Sequence, residues 1–402
     1  MSTECLPENF VLPPATFPSV KGWWSWSLAA TVSAAAIGFC VWGCQSADTL
    51  QDNRRCELRY GTFSFGLSAD GNTLAVGAAG ESGSSDNSLV LLLSSGDLYF
   101  TGVSAKVSQW VSPIEFVSDE FGFLLGRSID PETAERNKWP SVPGCLERFG
   151  LDGTRKLIID SLPSPISSLS VSPNRRLVAV CNSTVTDSET LATCRVYSLD
   201  DGSLVSTFTP QNPQTVKLLK AVFVDDADHC LIVSQPMHWA DHLNDVSRAY
   251  LTDAGTSEVL QEVDIYDPSA ELFGLVSSPE TGEVFAAIGG VIGRFTVGNG
   301  GYEYEQFYST GAFSLGCDIK WLDYHAGTGR LAVGEIVDGS RRESATRIVD
   351  VKTRKAFDTQ LNIAGPLKFS PDGKALYVLT GVMRDGRNDV GGVHKYLLDQ
   401  LR

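Results

Sequence analysis

Apolar and polar positions along this chain fall into a short phrase that recurs. Between 367 and 379 the sequence reads LKFSPDGKALYVL: a stub ending at Phe369, a polar turn, and an apolar run from Ala375 to Leu379. Ser-Pro-Asp-Gly at 370–373 is turn chemistry, because Pro fixes φ near about −65°, Asp bonds local backbone and Gly accepts φ > 0. The run after it is apolar enough for a strand buried on both faces. The same phrase ends its first strand at Leu67 in GLSADGNTLAV and at Val171 in LSVSPNRRLVAV. Weaker copies place the equivalent residue at Val117, Val224, Ser277 and Trp321.

These positions predict a repeat of roughly 44–54 residues, the period of a propeller blade built from several short strands. A third strand is predicted in most units: 88–93, 193–199, 247–252, 291–297, 345–351 and 392–398. A fourth follows a polar turn in LDDGSLVSTF (199–208) and VKTRKAFDT (351–359). The reading is an all-β, seven-bladed β-propeller over 56–402. A β-sandwich is the competing architecture, and it does not hold a spacing over so many units.

SPDGKALYV (370–378), SADGNTLAV (68–76) and SPNRRLVAV (172–180) resemble the bacterial WD40-like and YVTN-type propeller repeats. The resemblance covers about 56–402 and implies the fold. The chain carries no Gly-His and no Trp-Asp dipeptide, so it resembles a divergent member of that group.

The 402 residues fit one such domain plus an N-terminal segment. A net charge of −16, with no basic stripe, argues against nucleic acid, whose phosphates need clustered Lys and Arg. Residues 1–22 are polar and Pro-rich and are expected to form a disordered tail. WWSWSLAATVSAAAIGFCVWGC (23–44) carries no charge and is long enough to span a bilayer as a helix, with Trp23, Trp24 and Trp26 at one end and Trp42 at the other. A cleaved signal and a buried helix are the alternatives. Val41-Trp42-Gly43-Cys44 also resembles a lipobox, which implies lipidation of Cys44. Lys21 before the segment and Arg54 and Arg55 after it leave the positive-inside rule undecided. The signal-like placement favours an extracytoplasmic propeller.

Residues 45–55 read as a polar linker. The last unit shows three strands before the chain ends, so 56–63 is expected to supply its fourth, beside 392–398. Two insertions, 127–145 and 235–247, fall between second and third strands and should emerge on one rim, where propellers present function.

Among the nine cysteines, Cys181 and Cys194 bracket a loop between two strands, which makes them a candidate disulfide. Asn182-Ser-Thr matches a glycosylation sequon. His238, Trp239, Asp241 and His242 form the densest polar cluster and the candidate ligand-binding loop; imidazoles and a carboxylate suit polar ligands, and Trp stacks on sugar or peptide. The cysteines show no metal-ligand spacing, no nucleophile elbow or phosphate loop is present, and no catalytic residue, metal or cofactor is assigned. The expected function is a membrane-tethered interaction module presenting one rim to a protein or carbohydrate partner. The alternative is an enzyme, lactonase-like or another hydrolase, at the central channel. The sequence sets no oligomeric state.

Overall fold

The computed structural model describes residues 55–58, 61–71, 73–79, 88–94, 97–103, 110–128, 143–151, 154–162, 165–185, 190–211, 216–236, 247–265, 271–298, 301–309, 318–337, 343–361, 365–380 and 391–399. They form an all-β propeller of seven four-stranded antiparallel sheets. Sheet one holds β2 (Gly61–Leu67), β3 (Thr73–Ala79), β4 (Ser88–Ser94) and β5 (Asp97–Val103); β1 (Arg55–Leu58) belongs elsewhere. Sheet two holds β6 (Trp110–Ser118), β7 (Gly122–Ser128), β8 (Gly144–Phe149) and β9 (Arg155–Leu162). Sheet three holds β10 (Ile166–Val171), β11 (Leu177–Val185), β12 (Thr190–Ser198) and β13 (Leu204–Phe208). Sheet four holds β14 (Val216–Phe223), β15 (His229–Pro236), β16 (Ser247–Asp253) and β17 (Val259–Ile265). Sheet five holds β18 (Leu272–Ser278), β19 (Glu283–Ile288), β20 (Val291–Gly298) and β21 (Gly301–Ser309). Sheet six holds β22 (Asp318–His325), β23 (Arg330–Val337), β24 (Glu343–Asp350) and β25 (Ala356–Leu361). Sheet seven holds β26 (Leu367–Phe369), β27 (Ala375–Thr380), β28 (Gly391–Leu397) and, on its outer side, β1.

The recurrent turn has a recurrent mechanism. Ser68 Oγ donates to Asp70 and accepts from the Thr73 N–H. Ser370 repeats this with Asp372 and Ala375, and Ser172 repeats it with Asn174 and Leu177. One hydroxyl thus satisfies a donor across the turn while the carboxylate or amide pins it, as side-chain-to-backbone turns do. Gly71, Arg175 and Gly373 hold φ of 72°, 61° and 65° in these turns. The glycines take that conformation without a Cβ penalty; Arg175 does not.

The second strands sit between neighbouring sheets, which is why they read as apolar runs rather than alternations. All of β7 is buried. Apolar clusters lie between consecutive sheets: Ala75, Ile114, Phe123, Leu125 and Phe149 join sheets one and two, and Phe65, Leu67, Leu74, Val76, Leu379 and Val393 join sheets one and seven. The outer strands are the more exposed ones, leaving Leu157, Leu204 and Phe357 open to solvent. First strands run side by side in the same direction, since Ser167 Oγ donates to the Leu219 carbonyl, Ser168 Oγ to that of Ala221, and Ser170 Oγ accepts from the Phe223 N–H. The first strands follow one another from β2 through β6, β10, β14, β18 and β22 to β26, and β2 also lies against β27.

Two expectations about element placement change. The stretch 56–63 is not one strand. Arg55–Leu58 pairs with β28, Cys56 opposite Val393, whereas Gly61 onward pairs with β3, Gly61 opposite Ala79. The seven-residue β3 claims a partner of equal length, so sheet seven receives only the four residues before it. Trp321 does not end its strand. Asp323, Tyr324 and His325 continue pairing, and the turn is a short 3₁₀ segment at Ala326–Thr328 closed by Gly329 at φ 62°. The tail 1–22, the segment 23–44 with Cys44, and the linker before Arg55 lie outside the described residues. Among the described residues no helix is long and apolar enough to cross a membrane.

Candidate functional site

Strand register defines one common level through the first strands of the seven sheets. Gly66 faces Ala75, Glu115 faces Leu124, Ser170 faces Ala179, and Val222 faces Leu231. Val276 faces Phe285, Asp323 faces Ala332, and Lys368 faces Tyr377. Each partner holds the same place in the apolar run of its second strand. Three of these seven positions are ionisable, and they come from sheets two, six and seven.

The three charges interact although their sheets are not all neighbours. Lys368 Nζ stands 4.0 Å from Asp323 Oδ1, and the Phe369 N–H donates to Asp323 Oδ2 at 2.7 Å. Glu115 is the largest influence on Lys368, raising its pKa; burial opposes this and Asp323 adds to it. Sheet one lies between sheets two and seven, so Glu115 and Lys368 influence each other across it and not as strand neighbours. At this level sheet one has Gly66. A Cβ on Gly66 would press on Ile114 and Phe123 at 3.0 Å.

Protein surrounds these groups, yet Glu115, Asp323 and Lys368 each keep part of their surface open. Burial pushes the Glu115 carboxyl above the usual range, with Lys368 pulling the other way. Burial also raises Asp323, while Lys368, the Phe369 N–H and His325 lower it and Glu115 raises it further. Lys220, on β14, is a second enclosed lysine; burial lowers its pKa and the Cys181 thiol opposes this.

Neighbouring sheets are tied at the ends that carry the first-to-second-strand turns. Asn174 Nδ2 donates to Asp228 at 2.7 Å, and the Tyr377 hydroxyl donates to the Gly71 carbonyl at 3.4 Å. His325 Nε2 lies 3.0 Å from the Pro371 carbonyl. Glu283 accepts from Tyr324 at 2.7 Å and from Arg294 and holds its proton less tightly than usual, the bonds outweighing burial.

Of the residues singled out from sequence, His238, Trp239, Asp241 and His242 lie outside the described residues, between the ends of β15 and β16. Cys181 and Cys194 sit directly opposite each other in β11 and β12, fully buried and both thiols, with Cys230 of sheet four in the same core. Burial pushes the Cys181 thiol well up, with Cys194 and Cys230 adding to it. Asn182 is fully buried, so the sequon asparagine is closed to modification in the folded chain. Asp70, Asp225 and Asp372 are turn formers, and Asp225 binds its own turn through the Ala227 and His229 N–H groups.

Sequence reading passed over Glu115, Asp323 and Lys368. The signal was present in the clean repeat, where Lys368 directly precedes Phe369. It was blurred in the others by a bulge after Phe116 and by the four extra strand residues after Trp321.

No protein-family model and no curated protein sequence matches the chain. Among solved structures the chain is similar to "Kuenenia stuttgartiensis Hydrazine Synthase", with a TM-score of 0.58 and 14% identity over 88% of this chain and 99% of that one. At that identity the likeness shows the propeller fold alone.

Proposed function

We propose that the seven sheets are seven blades of one closed ring and that the chain is a binding module, tethered to a membrane through 23–44, which offers one rim to a protein or carbohydrate partner. The supporting observation is the asymmetry of the two ends. Every first-to-second-strand turn is three to five residues long, from 119–121 to 370–374. At the other end the second-to-third-strand connections are long in four sheets, 80–87, 129–143, 237–246 and 381–390, and short in the other three, 186–189, 289–290 and 338–342. Parallel first strands put all these connections at the same end. Uniform turns follow from folding alone; long, unequal connections are what recognition surfaces use on a rigid scaffold. His238, Trp239, Asp241 and His242 fall in one of them. The test shortens 129–143 and 237–246 to a two-residue link like that of sheet five, with binding read against a glycan array and by affinity capture. Melting within a few degrees of the parent with loss of the captured ligand is expected; full retention of binding would sink the rim reading.

The channel residues favour one second reading, an enzyme of the lactonase or general hydrolase class, because a carboxyl with a raised pKa beside a lysine is equipped for proton transfer. Turnover of a lactone and ester panel that disappears in Glu115→Gln would favour it over the binding module.

A further inference from the structure

We propose that the end of the propeller carrying the short turns docks on the zwitterionic headgroup surface of a lipid bilayer through exposed apolar side chains of its outer strands, so that the long-connection rim faces away from the membrane. The membrane itself comes from the tether at 23–44 proposed above; what is new is the face that meets it. Within each sheet consecutive strands are antiparallel, so the third-to-fourth-strand turns share an end with the first-to-second-strand turns. Backbone bonds tie the two sets together: the Leu199 N–H donates to the Arg176 carbonyl, that of Ala254 to Asp228, that of Val351 to Gly329 and that of Leu398 to Lys374.

The first observation is where exposed apolar residues fall. Eight large apolar side chains are exposed among the described residues, and all of them lie at this end. Leu157, Leu204, Val259 and Phe357 stand within the first three residues of the outer strands β9, β13, β17 and β25, with Val205 and Leu260 next to two of them. Leu151 follows the end of β8 and Val297 is the last residue but one of β20, so both border the same turns. The far ends of the outer strands are closed instead: Leu162, Phe208 and Ile265 are 2%, 5% and 0% exposed. Apolar residues scattered singly over a surface need no explanation, but a set confined to one end of five sheets marks a contact with something apolar.

The second observation is the direction from which the chain arrives. β1 runs antiparallel to β28, with Arg55 opposite His394 and Leu58 opposite Gly391, so its N-terminal end points to the short-turn end. Ten residues, 45–54, separate it from 23–44, and they reach at most about 36 Å when fully extended. So short a tether keeps the domain at high effective concentration near the bilayer, and modest apolar contacts then suffice to dock it. Charge selects the lipid. Exposed charges among the apolar residues are near balance, Arg155, Lys156, Lys352, Arg354 and Lys355 against Asp200, Asp201, Glu258 and Glu303. The first-to-second-strand turns at this end are acidic on balance, as at Asp70, Asp119, Glu120 and Asp372. An anionic surface repels such turns, whereas a zwitterionic one offers phosphate to the Lys and Arg and ammonium to the carboxylates.

The experiment reconstitutes full-length protein in phosphatidylcholine vesicles that contain a phosphatidylcholine with a diazirine in its acyl chain, and maps the photolabelled peptides by mass spectrometry. Label is expected on 23–44 and on the peptides carrying Leu157, Leu204, Leu260 and Phe357, and not on 129–143 or 237–246. Leu204→Asp combined with Phe357→Asp changes side chains that are 55% and 52% exposed, so the fold tolerates it. That variant should lose at least about fivefold of the turn label and keep the label on 23–44. Adding phosphatidylserine to the vesicles should not raise the turn label, and a rise overturns the choice of a zwitterionic surface. Label on 23–44 alone overturns the docked face and leaves the tether standing; label nowhere on the chain removes both. Label on the long connections, unchanged turn label in the double variant, or turns free of lipid label and chemically crosslinked to a second copy of the chain also overturn it. The variant with shortened 129–143 and 237–246 should keep its turn label, so failure of the rim reading and failure of this face are told apart.

Discussion

At the scale of single residues, the Ser-x-Asp turn is a pH-sensitive device. In the turn of sheet seven, bonds from Ser370 and the Lys374 N–H hold the Asp372 carboxyl below its ordinary range. A carboxyl lowered on folding adds stability above its unfolded pKa, and that stability is lost as pH falls through the folded value. The contribution is therefore present at neutral pH and fades below about pH 4. Sheet three supplies an internal control, since Asn174 does the same job without a charge. Asp372→Asn is accordingly expected to melt within about 1 kcal/mol of the parent at pH 7 and to lose less stability between pH 4 and 2. Thermal melts across that range check it, and an unchanged acid slope would show that the turn carboxylate is not titrating in this way. These turns were legible because Pro, Asp and Gly act locally. The charges of Glu115, Asp323 and Lys368 were not, because the influence of Glu115 on Lys368 is set by how sheets pack and not by any neighbour in the chain.

At the scale of elements, the strand order of sheet seven makes a sharper claim than a repeat count does. β1 reaches β28 through the pairs Arg55–His394 to Leu58–Gly391, joining the first described residues to the last strand. Removing 1–58 strips that outer strand, whereas removing 1–54 leaves it in place. The first deletion is expected to cost on the order of 2–4 kcal/mol through lost ladder bonds and exposed edge, and the second close to nothing relative to 45–402. Denaturant midpoints of the two truncations decide the matter: coincident midpoints would remove β1 from the role of clasp. Most strands were readable from sequence, with third strands at 291–298 and 391–397 within a residue or two of expectation. The exceptions were places where partner length overrode local pattern. β3 took Gly61–Leu67 from the expected closing strand, and β23 kept Asp323–His325 paired beyond Trp321.

At the scale of the whole molecule, the proposed tether is the part that strand pairing does not address. Twenty-two uncharged residues at 23–44, bounded by tryptophans, are expected to carry full-length protein into the membrane fraction and to leave 45–402 in the soluble one. Fractionation followed by carbonate washing checks this, and full-length protein that washes free without cleavage would rule the anchor out. Cys44→Ser separates the two forms of anchor: it blocks processing of a lipoprotein and leaves a spanning helix unaffected.

The pairing of β1 with β28 also sets an order in time. Arg55 cannot find His394 until the ribosome has made everything between them, so the ring stays open throughout synthesis. A partner so distant in sequence carries the largest loop-closure cost in the fold, and this ladder is expected to form after those within the sheets. Until then a first strand waits with its hydrogen-bonding groups unpaired, a template for association with another chain. Its brevity at four residues, with Arg55 and Glu57 among them, is the property that makes such a wait safe: it is too short and too charged to recruit a wrong partner before the right one arrives.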